Sequence, residues 1–536
     1  MKRFNAVSLE LLWTRLISIV DEAGAALVRT SFSTVVRESN DFACVLTDAD
    51  GASLAQASDS IPSFIGTVPR TITHFLKEFP PAELKPGDVL ITNDIWQGTG
   101  HLPDITVAKP IFHRGRLVGF AGSTAHAPDI GGKFRSPDSR SVYEEGLQIP
   151  IMKAQNAGKL DATLERILRK NVRVPDQVMG DLHAQFTALT LMEQRVMALL
   201  REQKLDSLQG LAREIHKRSE AAMRAAISKV PDGTYRQSAL SDGIAEPIRL
   251  ELALTVKGDE ILIDLEGTAP QVDRAINSCM AYTAAYTSYG VKAVLAPNIP
   301  NNQGVLRPIT IVAPPGCIAN STPPAAGSMR GLIGQFFSMM VIQALSRELP
   351  HLVMASVGSP QWCSHITGHR GDGSAFANMF FASGGYGASS ARDGINVLSW
   401  PSNVSSTPVE MIEQQVPMKV HYRRFRTGTG GAGEFRGGTG QEVLFENRAP
   451  GPVTVTFLAE RTRPETAAAG AAGGSAGACG EVLINGKALT DIKRQHFVEP
   501  GGTVLMRTPA GGGFGAPGKR SPERAEADRL DGYVGA

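Results

Sequence analysis

KPGDVLITNDIWQGTGHLPDITVAKPIF, running from Lys85 to Phe112, alternates turn signals with β-rich runs. Lys85-Pro86-Gly87-Asp88 reads as a turn and VLITND as an apolar run of strand length. A glycine-containing turn then delivers His101 and Asp104 to the start of a second run, ITVAKPIF. Similar runs flank it, FACVLTD before and LVGFAGSTAH after, with turns such as DADG between. The pattern predicts a sheet-rich region whose polar loops gather at strand ends.

The rest of the chain changes character in blocks. Leu9, Leu12, Leu16, Ile19 and Val20 fall at helical spacing, so a helix leads into these strands. Between Leu160 and Lys229, long repeats rich in Leu, Ala, Arg and Glu predict an antiparallel helical pair, ended by Pro231-Asp232-Gly233. IRLELALTVKGDEILIDLEG places two β runs around Lys257-Gly258-Asp259, a hairpin signal, and helical runs return at Tyr282 to Leu295 and Gly331 to Arg347. Beyond about residue 380 the chain is glycine-rich with short β runs (QEVLFENR, PVTVTFLAE, EVLINGKAL). There TAAAGAAGGSAGACG is expected to be a loop or lid rather than a packed core. Ser521 and Pro522 are the cap and first residue of a terminal helix. The expected fold class is α+β, a multidomain mixed protein. Its parts are a sheet-rich N-terminal domain carrying any metal site (1–159), a helical segment (160–230), a central α/β domain (231–380) and a glycine-rich β domain with a C-terminal helix (381–536).

Composition excludes several functions. The chain has 536 residues, 42% of them hydrophobic, enough for a large core. Lys and Arg number 54 against 52 Asp and Glu, and no basic run interleaves with aromatics, which argues against nucleic acid as a partner. No stretch reaches the roughly 18 to 20 continuous apolar residues that cross a bilayer. Glu10 and Arg15 interrupt what would have to be the apolar core of a signal peptide. Cys44, Cys279, Cys317, Cys363 and Cys479 show no CxxC spacing, so free thiols in a cytoplasmic protein are expected.

Three glycine patterns fail on context as nucleotide sites. GTGGAG (Gly428 to Gly433) runs into EFRGGTG instead of a helix. GFGAPGKR (Gly513 to Arg520) has Arg520 where a P-loop needs Ser or Thr, and GGSAG (Gly473 to Gly477) has no strand before Ser475. The histidines say more. His101 and His126 each follow a strand-like run and each stands three residues before an aspartate, Asp104 and Asp129. Imidazole and carboxylate groups on neighbouring strand ends suit a divalent ion, which could activate water or polarise a carbonyl. The plainer alternative is hydrogen-bonded loop histidines with turn-capping aspartates, and spacing alone leaves both open.

Ordered segments along the chain carry a family likeness. RESNDFACVLTDADGASLAQ, the Lys85 to Phe112 stretch, STAHAPDIGG, NVRVPDQVMGDLHAQ, NNQGVLRPITIVAPPG, PSNVSSTPVEMIEQQVPMKVHYRRF and TPAGGGFGAPGKRSPE resemble the hydantoinase B/oxoprolinase family. The resemblance implies an ATP-dependent cyclic amide hydrolase in which this chain is the B-type subunit. A separate A-type subunit with an actin-like ATPase fold would bind the ATP and phosphorylate the substrate, and the two would form a hetero-oligomer. It implies a hydantoin, 5-oxoproline or lactam ring as substrate, with a link to glutathione metabolism in the 5-oxoproline case. It also implies Zn, Mn or Fe held by His101, Asp104 and His126. The same resemblance admits the α subunit of a ketone carboxylase, or a non-catalytic structural partner.

Other roles follow less directly. Asp94 and Asp129 either orient water and take its proton or support the ligand imidazoles by hydrogen bonding. Asp41 and Glu38, in RESNDF, either reach the pocket or serve a turn or ion pair. Arg307 either clamps an anionic group or pairs with an acid. The family's NDPY reads Asn93-Asp94-Ile95-Trp96 here, its double histidine reads His126-Ala127, and Pro128 replaces a small residue. These substitutions alter the wall of the site and point to a different substrate from that of better known members.

Overall fold

The computed structural model describes residues 4–133, 135–346, 348–349 and 354–534. Helix Ala6–Thr30 opens the chain, capped by the Asn5 side chain, and buries Leu9, Leu12, Leu16, Ile19 and Val20 as their spacing predicts. Its apolar face lies on a seven-stranded antiparallel sheet. In spatial order the strands are Ser53–Gln56, Phe42–Thr47, Arg116–His126, Asp104–His113, Val89–Thr92, Met152–Asn156 and Lys159–Leu160. The two longest strands, Asp104–His113 and Arg116–His126, are buried along most of their length and pair with each other at the sheet's centre.

Helices Pro175–Glu202 and Gln209–Ile227 form where the Leu/Ala repeats place them, but their main packing is not on each other. The first lies along Ala6–Thr30 and on the two central strands. The second packs against the short helix Gln303–Leu306. The expected helical pair is therefore corrected. The long first helix offers its partner a continuous apolar face next to the sheet, and burying apolar area there outweighs pairing neighbours in sequence.

Three smaller sheets follow. Gly233–Ser241, Ile248–Lys257, Glu260–Asp264 and Ile309–Val312 make one, with the expected hairpin turning at Gly258. Trp362–His369, Ala375–Ala382, Val453–Leu458 and His496–Val498 make another. The last holds Met418–Phe425, Gln441–Asn447, Thr503–Arg507, Glu481–Ile484 and Lys487–Ala488. Helix Met280–Leu295 fulfils the expected run, while Gly331 to Arg347 divides at Gln335 into Gly331–Gly334 and Phe336–Leu345; Arg347 lies outside the described residues. Ser521 caps helix Pro522–Leu530 by accepting from the Arg524 amide.

The alanine- and glycine-rich stretch near residues 466–480 forms no α-helix or strand, as expected of a loop, but it is packed into the molecule rather than standing out as a lid. Its backbone hydrogen-bonds to other glycine-rich segments: Ser356 N to Ala469 O, Ala471 N to Gly513 O, Ser475 N to Ala432 O, and Gly513 N to Ser475 O, at 2.7 to 2.9 Å. Gly431, Gly437, Gly438, Gly511 and Gly512 join the same network. Small residues here bring backbones close enough to satisfy one another directly, so a sequence with few apolar side chains still packs. All five cysteines are free.

Candidate metal centre

Strand register assembles the site. Asp104, first residue of its strand, stands directly opposite His126, last residue of the neighbouring one. On the far side of His126 the chain enters strand Phe42–Thr47, and the His126 amide donates to Asp41 O at 3.0 Å, so three adjacent strand ends carry Asp41, His126 and Asp104. His101 arrives by the HLPD turn, closed by the Asp104 amide on His101 O at 3.3 Å. Asn93 pins this turn: its Nδ2 donates to Leu102 O and Leu147 O at 2.8 and 2.9 Å, and its Oδ1 accepts from Ile149 N at 2.6 Å. Gly100 has φ 111°, and a Cβ there would meet Arg330 Cδ and Cys279 Sγ at 2.9 Å, so only glycine admits the approach.

His101, Asp104 and His126 are buried and offer ligand atoms all within 4.8 Å of one another, a group that could hold a metal ion. Asp104 Oδ1 faces His101 Nε2 at 2.7 Å and His126 Nδ1 at 2.9 Å. Asp104 Oδ2 accepts from Thr99 Oγ1 at 2.7 Å and from Arg330 Nη2 at 2.6 Å. Burial opposes ionisation of Asp104, but its contacts with His101 and with the Arg330 guanidinium hold its carboxyl well below the usual range. Burial, and next the Arg330 guanidinium, hold His101 well below the ordinary imidazole value, so its ring is neutral. Its Nδ1 lies 3.1 Å from the Ser328 carbonyl, which can only accept, so Nδ1 carries the proton. A bare Nε2 lone pair then faces an ionised carboxylate oxygen at 2.7 Å, an arrangement that a cation between them relieves.

The cavity around this group is about 50 Å³, walled also by Asp41, Arg135, Tyr282, Tyr286, Arg330, Gln335, Gln361 and Ser402. Arg330 stacks over the Tyr282 ring at 4.0 Å. Burial, the dominant influence, raises the Asp41 carboxyl above its ordinary value. One shell further out, Glu145 accepts from Gly327 N at 3.1 Å and Ser328 N at 2.7 Å, fixing the carbonyl that orients His101.

Burial pushes Glu145 up to about 7. A carboxyl whose folded pKa exceeds its unfolded value stabilises the fold fully below about 4.5 and loses that contribution as pH rises to about 7, on the order of 3 kcal/mol. Glu145→Gln is expected to flatten the fall in Tm between pH 5 and pH 8; an unchanged profile would remove Glu145 as its source.

Not every candidate joins the site. Asp94 Oδ1 accepts from the Trp96 and Gln97 amides at 2.8 Å, as a turn cap. Asp129 is fully buried, accepting from Gly131 N at 3.1 Å and from Arg173 Nη1 at 2.6 Å. Neither hydrogen-bonds His101 or His126 among the described residues. Glu38 pairs with the adjacent Arg37 at 2.9 Å, and Arg307 pairs with Glu220 at 3.1 Å with its side chain 44% exposed. Arg307→Ala is expected to change stability by less than about 1 kcal/mol and turnover by less than about twofold, since an exposed ion pair contributes little; a tenfold fall in kcat/KM would return Arg307 to the site. Arg135, Arg330, Tyr282, Gln361 and Glu145 escape sequence reading because no local spacing ties them to the HLPD turn.

An α+β chain whose strand ends gather two buried imidazoles and a carboxylate carries a donor set that could hold a divalent metal ion. The hydantoinase B/oxoprolinase family model matches residues 5–517, and the chain belongs to that family. The putative B component of a D-/L-hydantoinase from Pseudomonas sp. (strain NS671) is 31% identical over all of this chain and 94% of its own length. The crystal structure of the ATP-dependent caprolactamase from Pseudomonas jessenii superposes with a TM-score of 0.90 at 25% identity, covering 100% of this chain and 95% of that one. A nucleotide-free acetone carboxylase structure shares the fold, with a TM-score of 0.89 at 20% identity over 98% of this chain and 78% of that one. No helix among the described residues is long and apolar enough to cross a membrane.

Proposed function

We propose that this chain is the B-type, ring-opening subunit of an ATP-dependent cyclic amide hydrolase, acting on a hydantoin, 5-oxoproline or lactam activated by a separate A-type ATPase subunit. The observation that carries the reading is the buried cluster of His101, Asp104 and His126, whose ligand atoms all lie within 4.8 Å of one another, with His101 Nε2 2.7 Å from Asp104 Oδ1. That donor set fits Zn, Mn or Fe. Family membership and the names of the hydantoinase and caprolactamase relatives support the substrate class.

In this reading His101, Asp104 and His126 hold the ion, which when bound supplies Lewis-acid activation of water or of the scissile carbonyl. Ser328 O keeps His101 in the tautomer that presents Nε2, and Glu145 keeps Ser328 in place. Arg330 keeps Asp104 ionised. Asp41, with Oδ2 3.8 Å from His126 Nδ1, is the carboxylate placed to accept a proton from water and return it to the ring nitrogen as the amide bond breaks. Asp94 and Asp129 support the loops that carry these groups.

The test is co-expression with an A-type ATPase chain and assay of ATP hydrolysis together with ring opening of 5-oxoproline, hydantoins and lactams. The reading predicts ring opening stoichiometric with ATP. ATP consumption only when a ketone and bicarbonate are supplied would overturn it in favour of carboxylation.

A further inference from the structure

The cavity beside the candidate metal centre has a second guanidinium, and among the described residues no carboxylate pairs with it directly. Arg330 is neutralised by Asp104 at 2.6 Å. Arg135 is 7% exposed and lines the same cavity. Among the described residues it forms no ion pair with a carboxylate. Its contacts run from Nη1 to His126 Nε2 at 3.3 Å and Met379 Sδ at 3.6 Å, while its Nε is buried without a partner. A buried charge left in this state costs several kcal/mol, which is why interiors normally pair it.

The backbone also holds the side chain there under strain. Arg135 has φ 40°, in the left-handed region that residues with side chains avoid, and its carbonyl accepts from Thr456 Oγ1 at 3.0 Å. A strained backbone fastened to a neighbouring sheet, aiming a buried cation with no directly paired carboxylate into a cavity, is what a built anion site requires.

We propose that Arg135 is the anion-binding residue of this cavity and that its ligand is an oxyanion on the substrate, either the phosphoryl group of the activated ring or the carboxylate that ring opening releases. The planar fork of a guanidinium matches both. Because Nη1 lies 3.3 Å from His126 Nε2, an oxyanion on Arg135 sets the neighbouring carbon beside the His-Asp-His group. The identity of that carbon rests on the proposed function; the anion site does not.

The experiment titrates the purified chain, as isolated and after chelation, with inorganic phosphate and with acetate by calorimetry, and measures metal content in the same samples. Arg135→Met and Arg135→Gln are each expected to bind phosphate about tenfold or more weakly than wild type, with unchanged metal content, and Arg135→Lys to restore part of the affinity. Without anion, Arg135→Met is expected to melt no lower than wild type, because an unpaired buried charge is gone. Phosphate binding tighter than acetate assigns the phosphoryl group; the reverse assigns the carboxylate. Phosphate affinity within twofold of wild type in either neutral variant, loss of wild-type phosphate binding on chelation, or a wild type that binds neither anion overturns the proposal. A wild type that takes up no metal, yet whose phosphate affinity depends on Arg135, overturns the proposed function and leaves the anion site standing.

Discussion

On the proposed function, His101→Ala is expected to abolish metal binding and to lower ring-opening turnover by about a thousandfold or more, while the protein still folds. The expectation comes from where His101 sits. Its ring makes two polar contacts, one to a backbone carbonyl and one to Asp104, and Asp104 keeps Thr99 and Arg330 when the ring is gone. The buried charge pair therefore survives, and stability falls by the few kcal/mol of a lost buried side chain. Lewis-acid activation, in contrast, supplies several kcal/mol to the barrier, each 1.4 kcal/mol being about tenfold in rate. Elemental analysis and single-turnover kinetics on the reconstituted complex check both halves; near-normal turnover would remove His101 from the centre.

Gly385→Ala is expected to destabilise the protein by about 4 kcal/mol or more. A Cβ on Gly385 would stand 1.8 Å from Gly438 O and 2.7 Å from Gly511 N, both backbone atoms. No rotamer change relieves a clash with backbone. The segments cannot separate without breaking Gly358 N to Gly385 O at 2.8 Å and Gly385 N to Pro509 O at 3.0 Å. Gly371, where an added methyl would meet nothing within 4 Å, is the control, and Gly371→Ala should shift stability by less than about 1 kcal/mol. Tm and soluble yield read both, and equal behaviour of the two variants would contradict close backbone packing.

The contrast between these variants also separates what is legible in the sequence from what is not. Strand ends with alternating turns place Asp104 and His126, because β pairing and HLPD are local signals that carry their own register. The hairpin at Gly258 and the terminal helix from Ser521 are readable for the same reason. The glycine-rich stretch is irregular chain as read, but its packing is not legible because side-chain patterning is blind to backbones that pack on one another. The helical pair fails because Pro175–Glu202 finds its apolar partner in a helix at the other end of the N-terminal half. Arg135 and Arg330 meet His126 and Asp104 only through the tertiary fold, so a single sequence holds no signal for them, whereas Arg307, in an inviting motif, stands at the surface with Glu220.

The most direct measurement is anomalous diffraction at the metal edges from crystals of the chain grown with Zn, Mn or Fe. The account predicts one anomalous peak bonded to His101 Nε2, Asp104 Oδ1 and an imidazole nitrogen of His126. No peak between these residues after loading, or a peak only elsewhere in the molecule, would contradict it.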